Sequence, residues 1–163
     1  LIELSAIAAN MDDTSILGVF DYRHPSVEEK CPRIRPKSKE GWTDVYALTG
    51  LALVDGKQVP SGNTEALRQY DAWLAGIPPQ RTVVHWGGSE KMLARGAPCI
   101  DLLHNVFRPW LMNGKMARDN HTTLTDAAAQ VVPVCPFAPH RAFEDALAAM
   151  MVLGATANFG GIL

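Results

Sequence analysis

Apolar residues fill most of the stretch from Leu1 to Ala9 and return from Ser15 to Tyr22, where Ile16, Val19, Phe20 and Tyr22 supply β-branched and aromatic side chains. A polar interval, Asn10 to Thr14, separates the two runs. Two β-forming segments around a short polar turn predict an antiparallel hairpin. From His24 to Trp42 the chain carries Pro25, Pro32 and Pro36 among many charges. Proline removes a backbone donor and fixes φ, so this segment is expected to be a surface loop with at most one short helix.

The pattern then changes period. After the turn signal Asp55-Gly56, Thr64 is placed to cap a helix whose apolar positions Leu67, Tyr70 and Leu74 recur at three and four residues. Gly76 with Pro78 and Pro79 ends it. Arg81 to Trp86 places Thr82, Val83 and Val84 in a row, as expected of a strand buried on both faces, and Gly87-Gly88 stops that strand. Shorter helices are expected over Ser89 to Ala94 and Thr125 to Val131. Ala142 to Leu153 is predicted as an amphipathic helix with Phe143, Ala146, Leu147 and Met150 on one stripe. A hairpin followed by a strand and helices in alternation is the order of an α/β fold, a mixed sheet flanked by helices.

Composition narrows the class. At 163 residues the chain is expected to be a single domain spanning 1–163. Its 47% hydrophobic and 20% charged residues are ordinary for a folded protein and argue against disorder. The net charge of -2 argues against a broadly basic surface, so a nucleic-acid partner would be held by local cationic groups. Cys31, Cys99 and Cys135 are odd in number and widely spaced, which fits a reducing compartment better than a disulfide framework or a zinc site. No apolar run reaches membrane-spanning length and the opening residues lack the order of a secretory signal, so an intracellular location, cytoplasmic or nuclear, is expected. A start at Leu1 rather than Met suggests a fragment or a processed form.

The most chemically suggestive segment is APHRAFEDALAAMMVLGA near the C-terminus. It places His140 at a helix entrance and Asp145 about one turn inside, where both can face one cleft. A helix N-terminus also offers unpaired N–H groups and a positive dipole end to a phosphate.

Around that segment, several blocks in order resemble the DEDDh 3′-to-5′ exonucleases, particularly the branch that trims histone mRNA and small interfering RNA 3′ ends. The blocks are LIELSAIAAN, VFDYRHP, ALTGLALVDGKQV, TEALRQYDAWL, TVVHWGGSEKML, FRPWLMNGKMARDN and HRAFEDA. They cover nearly the whole chain, and HRAFEDA fits the His-x4-Asp motif that closes the family's site. The resemblance implies an RNase H-like mixed sheet flanked by helices, a two-metal-ion site for Mg²⁺ or Mn²⁺, and hydrolysis of phosphodiesters at the 3′ ends of RNA or single-stranded DNA. It further implies His140 as general base, since an imidazole pKa of roughly 6.5 suits deprotonation of a metal-bound water. Asp145 would be a metal ligand, Leu48, Thr49 and Gly50 would border the terminal nucleotide, and Trp86 would stand beside the second acid.

The chain departs from the family pattern in two places. The family's first strand supplies an Asp-x-Glu pair, and this sequence starts after the point where that pair should stand. Where the second catalytic Asp is expected, the nearest acid is Glu90, one methylene longer, and octahedral Mg²⁺ tolerates misplaced ligands poorly. A catalytically inactive pseudo-exonuclease, serving as a nucleic-acid-binding or protein-interaction module, is therefore the alternative function. A fold without its first strand would expose unpaired N–H and C=O groups at about 1 to 3 kcal/mol each, so instability, a replacement strand, or a homo-oligomer through the open edge is expected.

Other residues are assigned plainer roles. His85 is expected to be a satisfied core histidine, and Trp73 and Trp110 packing residues. Arg33 to Lys39 is read as a solvated loop, and His104, His121 and the cysteines receive no role.

Overall fold

The computed structural model describes residues 3–10, 12–13, 15–29, 49, 51–54, 64–112, 123–131 and 141–156. The hairpin forms as expected. Strand β1 (Glu3–Ala9) pairs antiparallel with β2 (Ile16–Arg23) from Glu3↔Arg23 to Ala9↔Ile16, with a register shift between Ala8 and Ala9. The turn is closed by Asn10, whose N–H donates to Ser15 O at 2.8 Å. Side-chain alternation gives the hairpin two faces. Leu4, Phe20 and Tyr22 are buried on one of them, while Leu17, Val19, Asp21 and Arg23 are exposed on the other.

The buried face packs on helix α1 (Thr64–Ala75), which contributes Ala66, Tyr70 and Leu74. Phe20, Tyr70 and Trp73 meet there with ring centroids 5.5 to 5.7 Å apart, so Trp73 is a packing residue. Gly18 permits the close approach: a Cβ there would lie 3.2 Å from Trp73 Nε1. The helix ends where Gly76 N–H and Ile77 N–H donate to Trp73 O and Leu74 O.

Two short strands lie within segments read as loop or unassigned. β3 (Val27–Glu29) pairs antiparallel with β4 (Leu51–Leu53), and Leu51 is almost fully buried. Next comes β5 (Val83–His85), parallel to β6 (Cys99–Asp101) in the register His85↔Asp101. Between them Ser89–Ala94 forms a 3₁₀ helix. β6 runs directly into a π-helical segment, Leu102–Phe107, that continues as α2 (Arg108–Met112). Helices α3 (Leu124–Val131) and α4 (Ala142–Thr156) complete the described chain. Thr123 caps α3, accepting from Asp126 N–H at 3.1 Å and donating to its carboxylate at 2.7 Å.

The fold is thus α/β, and its core has two parts. The first joins the hairpin to α1. The second gathers Leu102, Val106 and Phe107 with Ala127 and Ala128 of α3 and Ala148, Val152 and Leu153 of α4, and receives Val84, Trp86 and Ile100 from the parallel strands. Trp110 stacks on Phe107 with centroids 5.6 Å apart, in the packing role expected for it.

Three expectations need correction. The sequence predicts one mixed sheet, whereas the described strands form three separate two-stranded sheets. The stripe on the last helix is also displaced. Phe143 is exposed, Ala146, Leu147 and Met150 are half-buried, and Ala148, Val152, Leu153 and Thr156 face the core instead. That helix is apolar nearly all round, so sequence period alone gives little guidance to its buried face. His85 is buried as expected but is not satisfied: its Nδ1 has no hydrogen-bond partner among the described residues.

Candidate functional site

Two groups of side chains bear on function, and each is built by a specific local arrangement. The first is the start of α4. Arg141 is 6% exposed and directs its guanidinium at Glu3 on the first residue of β1, with Nε 2.9 and 3.0 Å from the two carboxylate oxygens and Nη2 2.9 Å from Oε1. Ala142 N–H also donates to Glu3 Oε2 at 3.4 Å. Arg23 reaches the same carboxylate at 3.2 Å, and Glu29 closes the set at 3.4 Å from Arg141 Nη1. Two cations and two anions thus fasten the helix start to the strand pair across 138 positions of sequence. Asp145 stands one turn further on, half-buried, its N–H donating to Arg141 O at 2.8 Å. His140, directly before Arg141, lies outside the described residues, as do Leu48 and Gly50. Thr49 is described and buried, its hydroxyl accepting from Leu51 N–H at 3.4 Å.

The second group gathers at the C-terminal ends of the parallel strands, where open α/β sheets generally bind ligands. Trp86 follows β5 and rests on Phe107, ring centroids 5.6 Å apart. Gly87 and Gly88 then take φ values of +40° and +134°, conformations that side-chain-bearing residues rarely adopt. Glu90 is exposed on the first turn of the 3₁₀ helix and folds back over Gly88, so a Cβ on Gly88 would meet Glu90 Oε2 at 2.7 Å.

Opposite this turn, at the end of β6, Asp101 accepts from Gly87 N–H at 3.3 Å, from His104 N–H at 3.2 Å, and from the His104 ring at 2.8 Å. Burial pushes the Asp101 carboxyl up, but the hydrogen bonds from His104 and Gly87 outweigh it and hold the group below the usual value. An ionised carboxylate only accepts, so the His104 ring donates to it from Nδ1 and its Nε2 lies on the other side of a half-exposed ring. Sequence reasoning assigned His104 no role. The signal was the i, i+3 spacing of Asp101 and His104 just past a strand, set in a π-helical turn of the kind often found at functional sites.

Packing relates the two groups through one core: α4, which carries Asp145, supplies Val152 to the cluster that contains Phe107, and Val84 of β5 and Trp86 pack against that cluster. Glu90 belongs to the strand-end group. Among the described residues, no three His, Cys, Asp or Glu side chains converge as a cation site would require. Asp145 and Glu90 therefore do not assemble a two-ion centre from the described residues alone. No helix among the described residues is long and apolar enough to cross a membrane. No protein-family model, curated protein or solved structure matches the chain.

Proposed function

We propose that the chain acts as a 3′-to-5′ exonuclease with an RNase H-like arrangement, removing nucleotides from the 3′ ends of single-stranded RNA or DNA with Mg²⁺ or Mn²⁺. The observation that carries this reading is the buried Glu3–Arg141 pair, which fastens the start of α4 to β1 through the residue that follows His140 in sequence and lies one turn from Asp145. In this reading His140 takes the proton from the attacking water, and Asp145 and Glu90 offer carboxylates to the cation. Leu48, Thr49 and Gly50 border the terminal nucleotide, and Trp86 supports the turn that carries Glu90. The cation would lower the pKa of a bound water and offset charge on the scissile phosphate. His104, aligned by Asp101 at the strand ends, is a second group able to exchange a proton.

A second reading, binding of 3′ ends without hydrolysis, is favoured by the small number of converging donors among the described residues. One experiment separates the two. Release of 3′ mononucleotides from an end-labelled oligonucleotide is followed with and without Mn²⁺, with His140→Ala as control. Mn²⁺-dependent release that the substitution abolishes supports the exonuclease. Equal release by both proteins refutes it, and binding with no release by either supports the second reading.

A further inference from the structure

A groove of about 570 Å³ opens on the side of the molecule formed by the end of α1, the approach to β5 and the end of the 3₁₀ helix. It belongs to neither group of side chains described above. Its apolar lining comes from Leu74, Ile77 and Pro79, and its charged lining from Asp71, Arg81 and Arg95. Asp71 and Arg95 are already paired, with Arg95 Nε at 2.7 Å from Oδ1 and Nη2 at 3.1 Å from Oδ2. Arg81 differs: its Nε is buried and has no hydrogen-bond partner among the described residues. The groove therefore presents one guanidinium in excess of its carboxylate on a chain whose overall charge is -2.

Both guanidiniums also act on Tyr70. Burial pushes the Tyr70 hydroxyl up, while the positive charges of Arg81 and Arg95 oppose the shift. Arg95 itself is held at φ +51°, the one non-glycine residue with positive φ among the described residues.

The charge balance selects the ligand. A single net positive charge matches a singly charged oxyanion, and a dianion would in addition meet Asp71. Arg95 is held by both oxygens of Asp71, so Arg81 is the guanidinium left to meet an oxyanion. The groove is open to solvent and has Leu74, Ile77 and Pro79 in its lining, which suits a segment of polymer with flat apolar bases better than an enclosed small molecule.

We propose that the Arg81–Arg95 groove binds an internal phosphodiester of a single-stranded nucleic acid, with the neighbouring base against Ile77 and Pro79. This deepens the proposed function and rests on it for the identity of the polymer. Arg81 lies five residues before Trp86, roughly 16 Å along an extended strand, so the groove holds the body of the strand and not its 3′ end.

The test is the affinity of the full chain for a fluorescein-labelled oligouridylate, measured by anisotropy in EDTA over a range of salt concentrations. Arg81→Gln is expected to weaken binding about tenfold, as loss of a charged hydrogen bond does. Its log–log salt slope is expected to become shallower by about 0.7, one phosphate contact on a single strand. Asp71→Asn, which removes the competing carboxylate, is expected to bind more tightly than the wild type. Unchanged affinity and slope in Arg81→Gln overturn the groove while leaving the nuclease reading intact, and so does weaker binding by Asp71→Asn. Weaker binding by Arg81→Gln in a protein that releases no nucleotide with Mn²⁺ supports the groove and removes the nuclease. A wild-type chain that does not bind the oligouridylate overturns the groove, and the nuclease reading is then decided by Mn²⁺-dependent release alone.

Discussion

Replacing Glu3 with Gln keeps the shape of the side chain and removes the charge that Arg141 faces. In the wild type both members of the pair are withdrawn from water, with side-chain exposures of 10% and 7%. A guanidinium in that position has lost most of its hydration and depends on the carboxylate for compensation. Breaking one side of such a pair typically costs about 3 to 5 kcal/mol, because the remaining charge stays buried and uncompensated. Glu29 remains 3.4 Å from Arg141 Nη1, but at 58% exposure it is well screened, and an exposed partner contributes no more than about 1 kcal/mol. The lower end applies, about 3 kcal/mol, which in a domain of this size lowers the melting temperature by roughly 6 to 12 °C. Urea unfolding followed by tryptophan fluorescence and far-ultraviolet circular dichroism measures it. The double variant Glu3→Gln/Arg141→Gln should lose at least about 1 kcal/mol less than the sum of the two single variants, since each residue's value depends on the other. A loss below about 1 kcal/mol in Glu3→Gln, or strict additivity in the double variant, refutes the claim that this pair anchors α4 to β1.

Phe107→Ala removes a fully buried ring from the centre of the second core and should cost about 3 to 5 kcal/mol in the same unfolding assay, whereas Phe143→Ala, on the exposed start of α4, should stay within about 0.5 kcal/mol. Gly88→Ala forces a side chain onto a φ of +134° and against Glu90, and a loss of about 1 to 3 kcal/mol is expected; a neutral result would show that the turn relaxes. Glu65 is held at about 2, against an ordinary value of 4.5, by hydrogen bonds from Arg68 and then Gln69. Its folded value lies below its unfolded one, so its contribution to stability is fully present above pH 4.5 and is lost as the pH falls toward 2. Arg68→Gln should move the midpoint of the Glu65 carboxyl titration, followed by nuclear magnetic resonance, back toward 4.5, and an unmoved midpoint would show that Arg68 is not the cause.

The elements that could be read from sequence are those whose side chains carry their own periodicity. The hairpin was legible because Leu4, Phe20 and Tyr22 alternate with outward residues around a polar turn, and α1 because Tyr70 and Leu74 recur on one face. β3, β4 and β6 were not, since three residues such as Cys99–Asp101 are too few to show a period and exist only through their pairing. The buried face of α4 was misread for a related reason. With apolar residues on every side, the choice between Phe143 and Ala148 is made by the partner helix α3, and α3 is itself made close-packing by Ala127 and Ala128.

The candidate site divides along the same line. His140 and Asp145 are local in sequence, five residues apart at a helix start, so a motif could point to them. The interactions that orient the described groups are not local: Arg141 is fixed by Glu3, 138 positions away, and Asp101 by Gly87, 14 away across a parallel pair. A charged residue whose partner lies that far off looks in sequence like any solvated arginine or aspartate. Its meaning appears only when burial makes the pairing obligatory, because a guanidinium 6% exposed cannot be left to water. It follows that substitutions at Glu3 should disturb the start of α4 as strongly as substitutions at Arg141 itself. Exposed ion pairs such as Arg68–Glu65 should leave that helix untouched.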